Sequence, residues 1–270
     1  MEVQNPLPNR KKHSKISGME QNDLLKRIND LASRCARQNC ITATAFLTPA
    51  ECYALSTYRC PEDVHLFLSG GIPGCERQMA FFLPWYEDDA AFAAEQLGSY
   101  IKAVRIRCPF GTPGHRDFLG AALGLGIERD RLGDILIDGE TAWLFCLPTV
   151  KQHLLLNLDK VGRWGVKTRE IALADVPRQE RKMKELVFSV KSPRLDAVCA
   201  GMFGLSRTTA AEAIAQGLVT LNYAACLKCD TQVKGGDILS LRGKGKGVIL
   251  DAGGTLSRKG RLFVRCGIYL

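Results

Sequence analysis

Three consecutive residues near the C-terminus, Ser206, Arg207 and Thr208, have the side chains and the position needed to bind a phosphate group. They precede an apolar helical pattern, in which Ser206 is a good N-cap. At such a helix start, backbone N–H groups and the helix dipole both favour an anion, and a guanidinium there adds a charge-assisted fork. Arg194 opens the preceding helical segment and can flank the same spot. This cluster is therefore predicted to bind phosphate.

A second basic cluster follows in the same region. Arg242, Lys244 and Lys246 are separated by glycines, and we predict a flexible basic loop that can follow a nucleic-acid backbone. Asn222 and Lys228, which lie between the two clusters, complete the predicted contact set.

The cysteines do not predict a metal site. Cys226 and Cys229 form one close pair, but a structural zinc site needs about four ligands and the chain has no second such pair. The 11 cysteines have no framework spacing, which is typical of free thiols in a reducing cytosol. We therefore expect no metal and no other cofactor.

Two further patterns could suggest enzymatic chemistry. The residues His115, Arg116 and Asp117 do not share one helix face, and we interpret them as a helix start in which Asp117 complements the dipole, with surface RNA contact as the alternative. The spacing from Gly120 to Gly126 differs from a dinucleotide-binding loop, and we interpret these glycines as allowing close helix–sheet packing. We predict no catalytic residues.

The charge of the chain is concentrated at its ends. Residues 182–270 contain 14 lysines and arginines against 6 acidic residues, a net charge of +8, and residues 1–17 carry +3. The 164 residues between them carry −2. A basic C-terminal unit on a nearly neutral body is the distribution expected of a polyanion-binding protein.

Two short helices and a hairpin are predicted to position the candidate phosphate site. Asp196, Val198 and Cys199 belong to the first helix, and the second runs from Ser206 to a glycine stop at Gly217. In the strand that follows, Val219 and Leu221 should face inward, and Thr220 and Asn222 outward.

The rest of the chain divides into four further segments. Residues 1–18 are predicted to be a disordered basic arm, 19–98 an N-terminal α+β region of helices and a hairpin, 99–174 a central domain, and 175–189 a charged linker before a C-terminal domain at 190–270. A helix is expected from Met19, and a capping box at Thr48 and Glu51.

The central domain has the element order βαββαβ. Asp138 and Gly139 form a hairpin signal between its second and third strands. This order is typical of ferredoxin-like folds, which RNA-recognition domains share, and the overall class is therefore α+β. The aromatic signature strand of RNA-recognition domains is missing, so the fold alone does not make this domain an RNA binder.

From Arg194 to about Arg242 the sequence resembles the S-four RNA-binding domain, of the αL type. The matching motifs are Arg-Leu-Asp, Leu-Ser-Arg-Thr, Gly-x-Val-x-x-Asn and Val-x-x-Gly-Asp, in that order. Such domains bind structured RNA, largely through shape and phosphates.

Residues 20–270 as a whole resemble the bacterial YlmH family, through segments such as His-Arg-Asp-Phe-Leu-Gly-Ala at 115–121 and Leu-Gly-Leu-Gly-Ile-Glu-Arg at 123–129. The resemblance implies docking on ribosomal RNA and tRNA of the large ribosomal subunit, and a role in rescuing stalled complexes. We accordingly expect a cytoplasmic, monomeric, non-enzymatic protein that does not contact membranes. The alternatives are an RNA-modifying enzyme that uses an S-four targeting domain, and a protein–protein adaptor linked to cell division.

Overall fold

The computed structural model describes residues 18–178, 182–252 and 260–269, and the predicted arm at 1–17 lies outside them. The described chain has mixed α and β structure in which every paired strand is antiparallel. The α+β class is thus confirmed. None of the described helices combines the length and the apolar character that a membrane span requires.

The N-terminal residues form helices around a three-stranded sheet of order β1-β3-β2. Thr48 and Glu51 make the predicted capping box, and the helix predicted from Met19 begins one residue earlier. Its apolar positions Leu24, Ile28 and Leu31 are buried against β3 and its neighbours. The elements are α1 Gly18–Gln38, β1 Thr42–Ala43, α2 Pro49–Ala54, β2 Val64–Ser69, β3 Met79–Pro84, α3 Asp89–Glu95 and α4 Leu97–Tyr100.

The central residues contain the predicted strands and helices in the predicted order, with one short unpredicted hairpin, Lys160–Val161 and Trp164–Gly165, before the last strand. Their sheet has the order β5-β6-β4-β9, and β5 and β6 are joined by the predicted Asp138–Gly139 turn. The elements are β4 Lys102–Arg107, α5 His115–Gly124, β5 Leu132–Asp138, β6 Thr141–Cys146, α6 Pro148–Asn157, β7 Lys160–Val161, β8 Trp164–Gly165 and β9 Lys167–Ile171.

The two faces of the central sheet are covered by different parts of the chain. Phe118 of α5 and Leu154 of α6 pack on one face, against Val104 and its neighbours. On the other face Trp143 and Phe145 belong to a core that also contains Phe46 and Phe81 of the N-terminal residues. The N-terminal elements therefore cover part of the face that RNA-recognition domains leave open for bases.

The glycines in α5 and just after it do not have the predicted packing role. A Cβ atom added at Gly120, Gly124 or Gly126 would meet nothing within 4 Å, so the interpretation as close helix–sheet contacts is wrong. Gly126 has a φ of +79°, which favours glycine after the end of the helix.

Two half-buried arginines, Arg77 and Arg129, lie where the N-terminal elements meet the central sheet, and Arg77 joins the two. Arg77 donates hydrogen bonds to the carbonyl oxygens of Leu132 and Phe46 at 3.1 and 3.0 Å, and the Asp134 carboxylate accepts from the Arg77 backbone N–H at 3.1 Å. Burial, with repulsion from Arg77 second, lowers the pKa of Arg129 to about 10. Carbonyl acceptors satisfy these cations, which fixes the orientation of the two units.

The C-terminal residues form a six-stranded sheet of order β10-β15-β14-β13-β11-β12, against which two helices pack. The elements are β10 Met183–Val190, α7 Leu195–Phe203, α8 Arg207–Ala215, β11 Val219–Leu221, β12 Ala224–Ala225, β13 Ile238–Leu241, β14 Gly245–Asp251 and β15 Leu262–Tyr269.

The linker prediction was wrong over residues 183–189, which belong to a strand. Met183–Val190 is an edge strand that pairs with β15 over eight residues. Its charged side chains at Lys184 and Glu185 are exposed, as is usual on an edge strand, and they obscured the strand signal. The remaining predicted linker includes residues 179–181, which lie outside the described part of the chain.

Candidate nucleic-acid interface

The helix α8 begins at Arg207 with Ser206 as its N-cap, as the sequence predicts. The hydroxyl oxygen of Ser206 accepts the Thr209 backbone N–H at 3.0 Å. Ser206, Arg207 and Thr208 are all exposed. The first backbone N–H groups of a nine-residue helix thus lie beside an exposed guanidinium at the surface of the basic unit.

A prediction follows from this cap. The Ser206→Ala variant is expected to lose about 1 kcal/mol of unfolding free energy, because the Thr209 N–H loses its acceptor. Urea unfolding would measure the loss. Ser206→Thr, which keeps a hydroxyl acceptor, is the control, and equal losses in both variants would contradict the capping role.

Arg194 and Arg207 both donate to one carboxylate, that of Asp196. Arg207 Nη2 lies 2.8 Å from Asp196 Oδ2, and Arg194 Nε lies 3.2 Å from Oδ1. Asp196 also accepts the backbone N–H of Ala197 at 2.8 Å and is only 7% exposed. The buried acid therefore holds two arginines together that are 13 residues apart in sequence.

Two opposing effects act on the pKa of Asp196. Burial raises it, but hydrogen bonds from Arg194 and Arg207 outweigh that effect, and the net pKa lies below the usual value of an aspartate. The carboxylate is therefore ionised at neutral pH, and the group of two guanidiniums and one carboxylate has a net charge of +1.

The arginines keep donors for an external ligand. Asp196 occupies one nitrogen of Arg207 and two of Arg194, whereas a guanidinium has five N–H donors. The side chain of Arg207 is 59% exposed and that of Arg194 is 37% exposed. Fixing the guanidiniums beforehand lowers the entropy lost on binding, so this arrangement suits bidentate contact with phosphate oxygens.

Sequence reasoning missed Asp196 as the organising residue, although a signal was present. Seven of the nine residues of α7 are buried, and Asp196 is the only charged residue in that helix. A carboxylate in an apolar helix requires a hydrogen-bonded or charged partner, and the two nearby arginines are obvious candidates.

Arg242 and Lys244 lie in the turn between β13 and β14, and both are exposed. The Arg242 backbone N–H donates to Leu218 at 3.0 Å, which places the turn beside the C-terminal end of α8. Arg207 is at the other end of this nine-residue helix, about 13 Å away at 1.5 Å per residue. The two predicted basic clusters are therefore separate contact points on one unit.

The prediction that Asn222 faces outward is wrong. Asn222 is 9% exposed, and its side-chain amide donates to Asp237 Oδ1 and to the Tyr53 hydroxyl, both at 2.8 Å. Its Oδ1 accepts the Ile238 N–H at 2.9 Å. Asn222 has a φ of +50° and begins a turn. Because its amide nitrogen and oxygen are bonded to Asp237, Tyr53 and Ile238, they are not available to RNA.

Lys246 also departs from the prediction of a flexible loop. It is part of β14, is half-buried, and forms an ion pair with Glu76 of the N-terminal unit. Its ammonium lies 5.3 and 5.7 Å from the ring centroids of Tyr223 and Tyr269. Lys246 thus serves a contact between units, beside a cleft of about 1000 Å³ that α2 and strands β11–β13 line together.

Three other features singled out from the sequence are Lys228, the Cys226–Cys229 pair and residues 115–117. Lys228 is exposed, as a contact residue would be. Cys226 Sγ contacts Thr231 Oγ1 at 3.3 Å, and no set of three metal-ligating side chains occurs within the described ranges. Asp117 Oδ2 accepts the Gly114 N–H at 2.9 Å, which confirms the helix-start interpretation of residues 115–117.

Comparisons with known proteins place these features in context. Residues 96–175 match the family model described as "Putative RNA-binding domain in YlmH". The chain is 31% identical over 207 residues to ribosome-associated protein quality control protein P2 of Bacillus subtilis (strain 168), across 75% of this chain and 78% of that relative. The solved structure of cell division protein ylmH from Streptococcus pneumoniae is 21% identical, with a TM-score of 0.47, and the match covers 62% of this chain and 98% of that one.

Proposed function

Because the chain belongs to the YlmH family, we propose that it is a non-enzymatic, cytoplasmic protein that docks on structured RNA of the large ribosomal subunit. Its ligands are ribosomal RNA and tRNA, and its process is the rescue of stalled ribosomal complexes. Ribosome association and RNA binding are the properties that the names of the family model and the Bacillus relative describe.

The proposal assigns a domain type to each unit. Residues 19–98 form the N-terminal α+β region, and residues 99–174 form a ferredoxin-like domain of the RNA-recognition kind. The C-terminal unit is an S-four domain, which in this proposal begins with β10 instead of residue 190. The linker is then limited to residues 175–182.

One observation carries the proposal for the C-terminal unit. Arg194 and Arg207 are held on the buried Asp196 beside the exposed start of α8, in a region with a net charge of +8. A merely soluble basic surface would not need a buried carboxylate that fixes two guanidiniums. The two guanidiniums keep unoccupied N–H donors, which can form charge-assisted hydrogen bonds with phosphate oxygens.

The test is an Arg207→Ala variant. Its affinity for large-subunit ribosomal RNA is expected to fall about tenfold, because one charge-assisted hydrogen bond of roughly 1.4 kcal/mol is lost. The slope of log affinity against log salt should fall by about 0.9, the contribution of one phosphate contact. Filter binding over a range of salt concentrations measures both quantities.

The control is Arg59→Ala, which removes an exposed arginine from the N-terminal unit. Equal losses for both variants would place the binding site elsewhere. An unchanged affinity in Arg207→Ala would contradict the assignment to the start of α8.

A further inference from the structure

Four basic side chains lie together on one face of the central sheet. In the register of β4 and β9, Arg105 is opposite Arg169 and Arg107 is opposite Lys167. Directly opposite residues share a face, with Cα atoms about 5 Å apart, and residues two apart along a strand are separated by about 7 Å. We call these four exposed residues, Arg105, Arg107, Lys167 and Arg169, the sheet array. Their four cationic side chains lie close together on one face of the sheet.

The four cations of the sheet array form no ion pairs and no side-chain hydrogen bonds within the described part of the chain. Glu170, next to Arg169, bonds Lys151 of α6 on the opposite face at 2.7 Å. Like charges placed opposite each other destabilise a sheet, so this arrangement favours an external anion.

One exposed aromatic residue, Phe110, follows the β4 residues of the sheet array closely in sequence. Phe110 follows Arg107 by three residues and is 80% exposed. The next residue, Gly111, rests on the indole of Trp164, since an added Cβ atom would come within 2.4 Å of the ring. The Arg163 guanidinium lies 4.6 Å from that ring centroid. The contact with Trp164 fixes the loop that presents the Phe110 ring to solvent.

The ligand that matches cations beside an exposed aromatic ring is a nucleic-acid strand. Phosphates bind the cations, and an unstacked base covers the ring. An acidic protein segment would satisfy the cations but would leave the ring exposed. The other half of this sheet face is closed, because Trp143 and Phe145 are buried against the N-terminal unit. A bound strand is thus confined to the half that carries the sheet array.

We propose that the sheet array is a second RNA-binding surface, which takes a single-stranded segment of RNA. Arg105, Arg107, Lys167 and Arg169 bind its phosphates, and Phe110 stacks on one of its bases. This inference rests on the proposed RNA-binding function and extends it to a surface that reads unpaired RNA beside the structured RNA bound at α8.

The experiment uses the full chain and a short fluorescent oligouridylate. In the double variant Arg105→Gln/Arg169→Gln, the affinity for this probe is expected to fall at least tenfold, and the salt slope should fall by about 1.4, or 0.7 for each single-strand phosphate contact. In Phe110→Ala the affinity should fall about tenfold with an unchanged salt slope, because stacking releases no counterions.

The controls separate this surface from folding and from the site at α8. Arg27→Gln/Arg34→Gln removes two exposed arginines of α1 and should leave oligouridylate affinity unchanged. The melting temperature of the sheet double variant should not fall, because like-charge repulsion is removed. Arg207→Ala, measured with large-subunit ribosomal RNA, tests the proposed function independently of this surface.

Three results would overturn the second surface. The first is wild-type oligouridylate affinity in the sheet double variant, and the second is an equal loss in the α1 control. The third is binding of an oligoglutamate probe as tightly as oligouridylate, with no effect of Phe110→Ala, since the site would then take anions without recognising RNA.

Discussion

Asn222→Ala is expected to destabilise the protein by about 3 kcal/mol while leaving the intrinsic RNA affinity of the folded protein unchanged. The substitution removes the hydrogen bond to the buried Asp237 carboxylate and leaves the Ile238 N–H without its acceptor. It also places alanine at a φ of +50°, which asparagine tolerates better. Urea unfolding and RNA binding below the unfolding transition measure the two quantities.

Asn222→Gly separates the backbone effect from the hydrogen bonds. Glycine adopts positive φ freely, so this variant should recover about 1 kcal/mol of the loss and no more. If Asn222→Ala instead lowered RNA affinity with an unchanged unfolding free energy, Asn222 would be a contact residue, as the sequence pattern first indicated, and its internal role would be refuted.

The local elements of the fold were predictable because their signals lie close together in sequence. The capping box of Thr48 and Glu51, the cap at Ser206 and the turn at Asp138–Gly139 each depend on residues within a few positions of one another. Caps and turns follow from backbone chemistry that tertiary packing seldom overrides.

The errors occurred where a residue's environment depends on distant parts of the chain. Asn222 meets Tyr53 across 169 positions, and Lys246 meets Glu76 across 170. Strand β10 has a charged, exposed pattern, and only its pairing with β15 identifies it as a strand. A single sequence does not show which distant residues meet in the fold. The buried amide of Asn222 and the paired ammonium of Lys246 were therefore taken for surface contacts.

The candidate site likewise has a part that could be predicted from local sequence and a part that depends on tertiary packing. Ser206, Arg207, Thr208 and Arg194 were found from the helix-start pattern, whereas their dependence on Asp196 required the packing of α7 against α8. The sheet array could not be predicted, because its two strands lie about 60 residues apart and their register alone brings Arg105 opposite Arg169.

Asp196→Asn is expected to weaken both the fold and the RNA site. An amide has one oxygen, so it cannot accept from Ala197, Arg194 and Arg207 as the carboxylate does, and its NH₂ group would face guanidinium donors. The expected loss of unfolding free energy at neutral pH is about 2 kcal/mol, the contribution of hydrogen bonds to a charged group. RNA affinity should fall about tenfold, because both arginines lose their anchor.

The pH dependence of this loss distinguishes the ionic role of Asp196 from a packing role. The pKa of Asp196 is lower in the folded protein than in the unfolded chain, so its ionised form contributes stability that is fully present above about pH 4. That contribution disappears as the pH falls through the folded-state pKa. The difference in unfolding free energy between wild type and Asp196→Asn should therefore shrink below about pH 4.

Glu212→Gln is the matched control, because it makes the same chemical change at an exposed position of α8. Its unfolding free energy should stay within about 0.5 kcal/mol of wild type. A loss in Asp196→Asn that persists undiminished into acid would show that the side chain acts through shape alone. The two arginines would then be held by something other than its charge, and the electrostatic basis of the proposed phosphate site would fail with it.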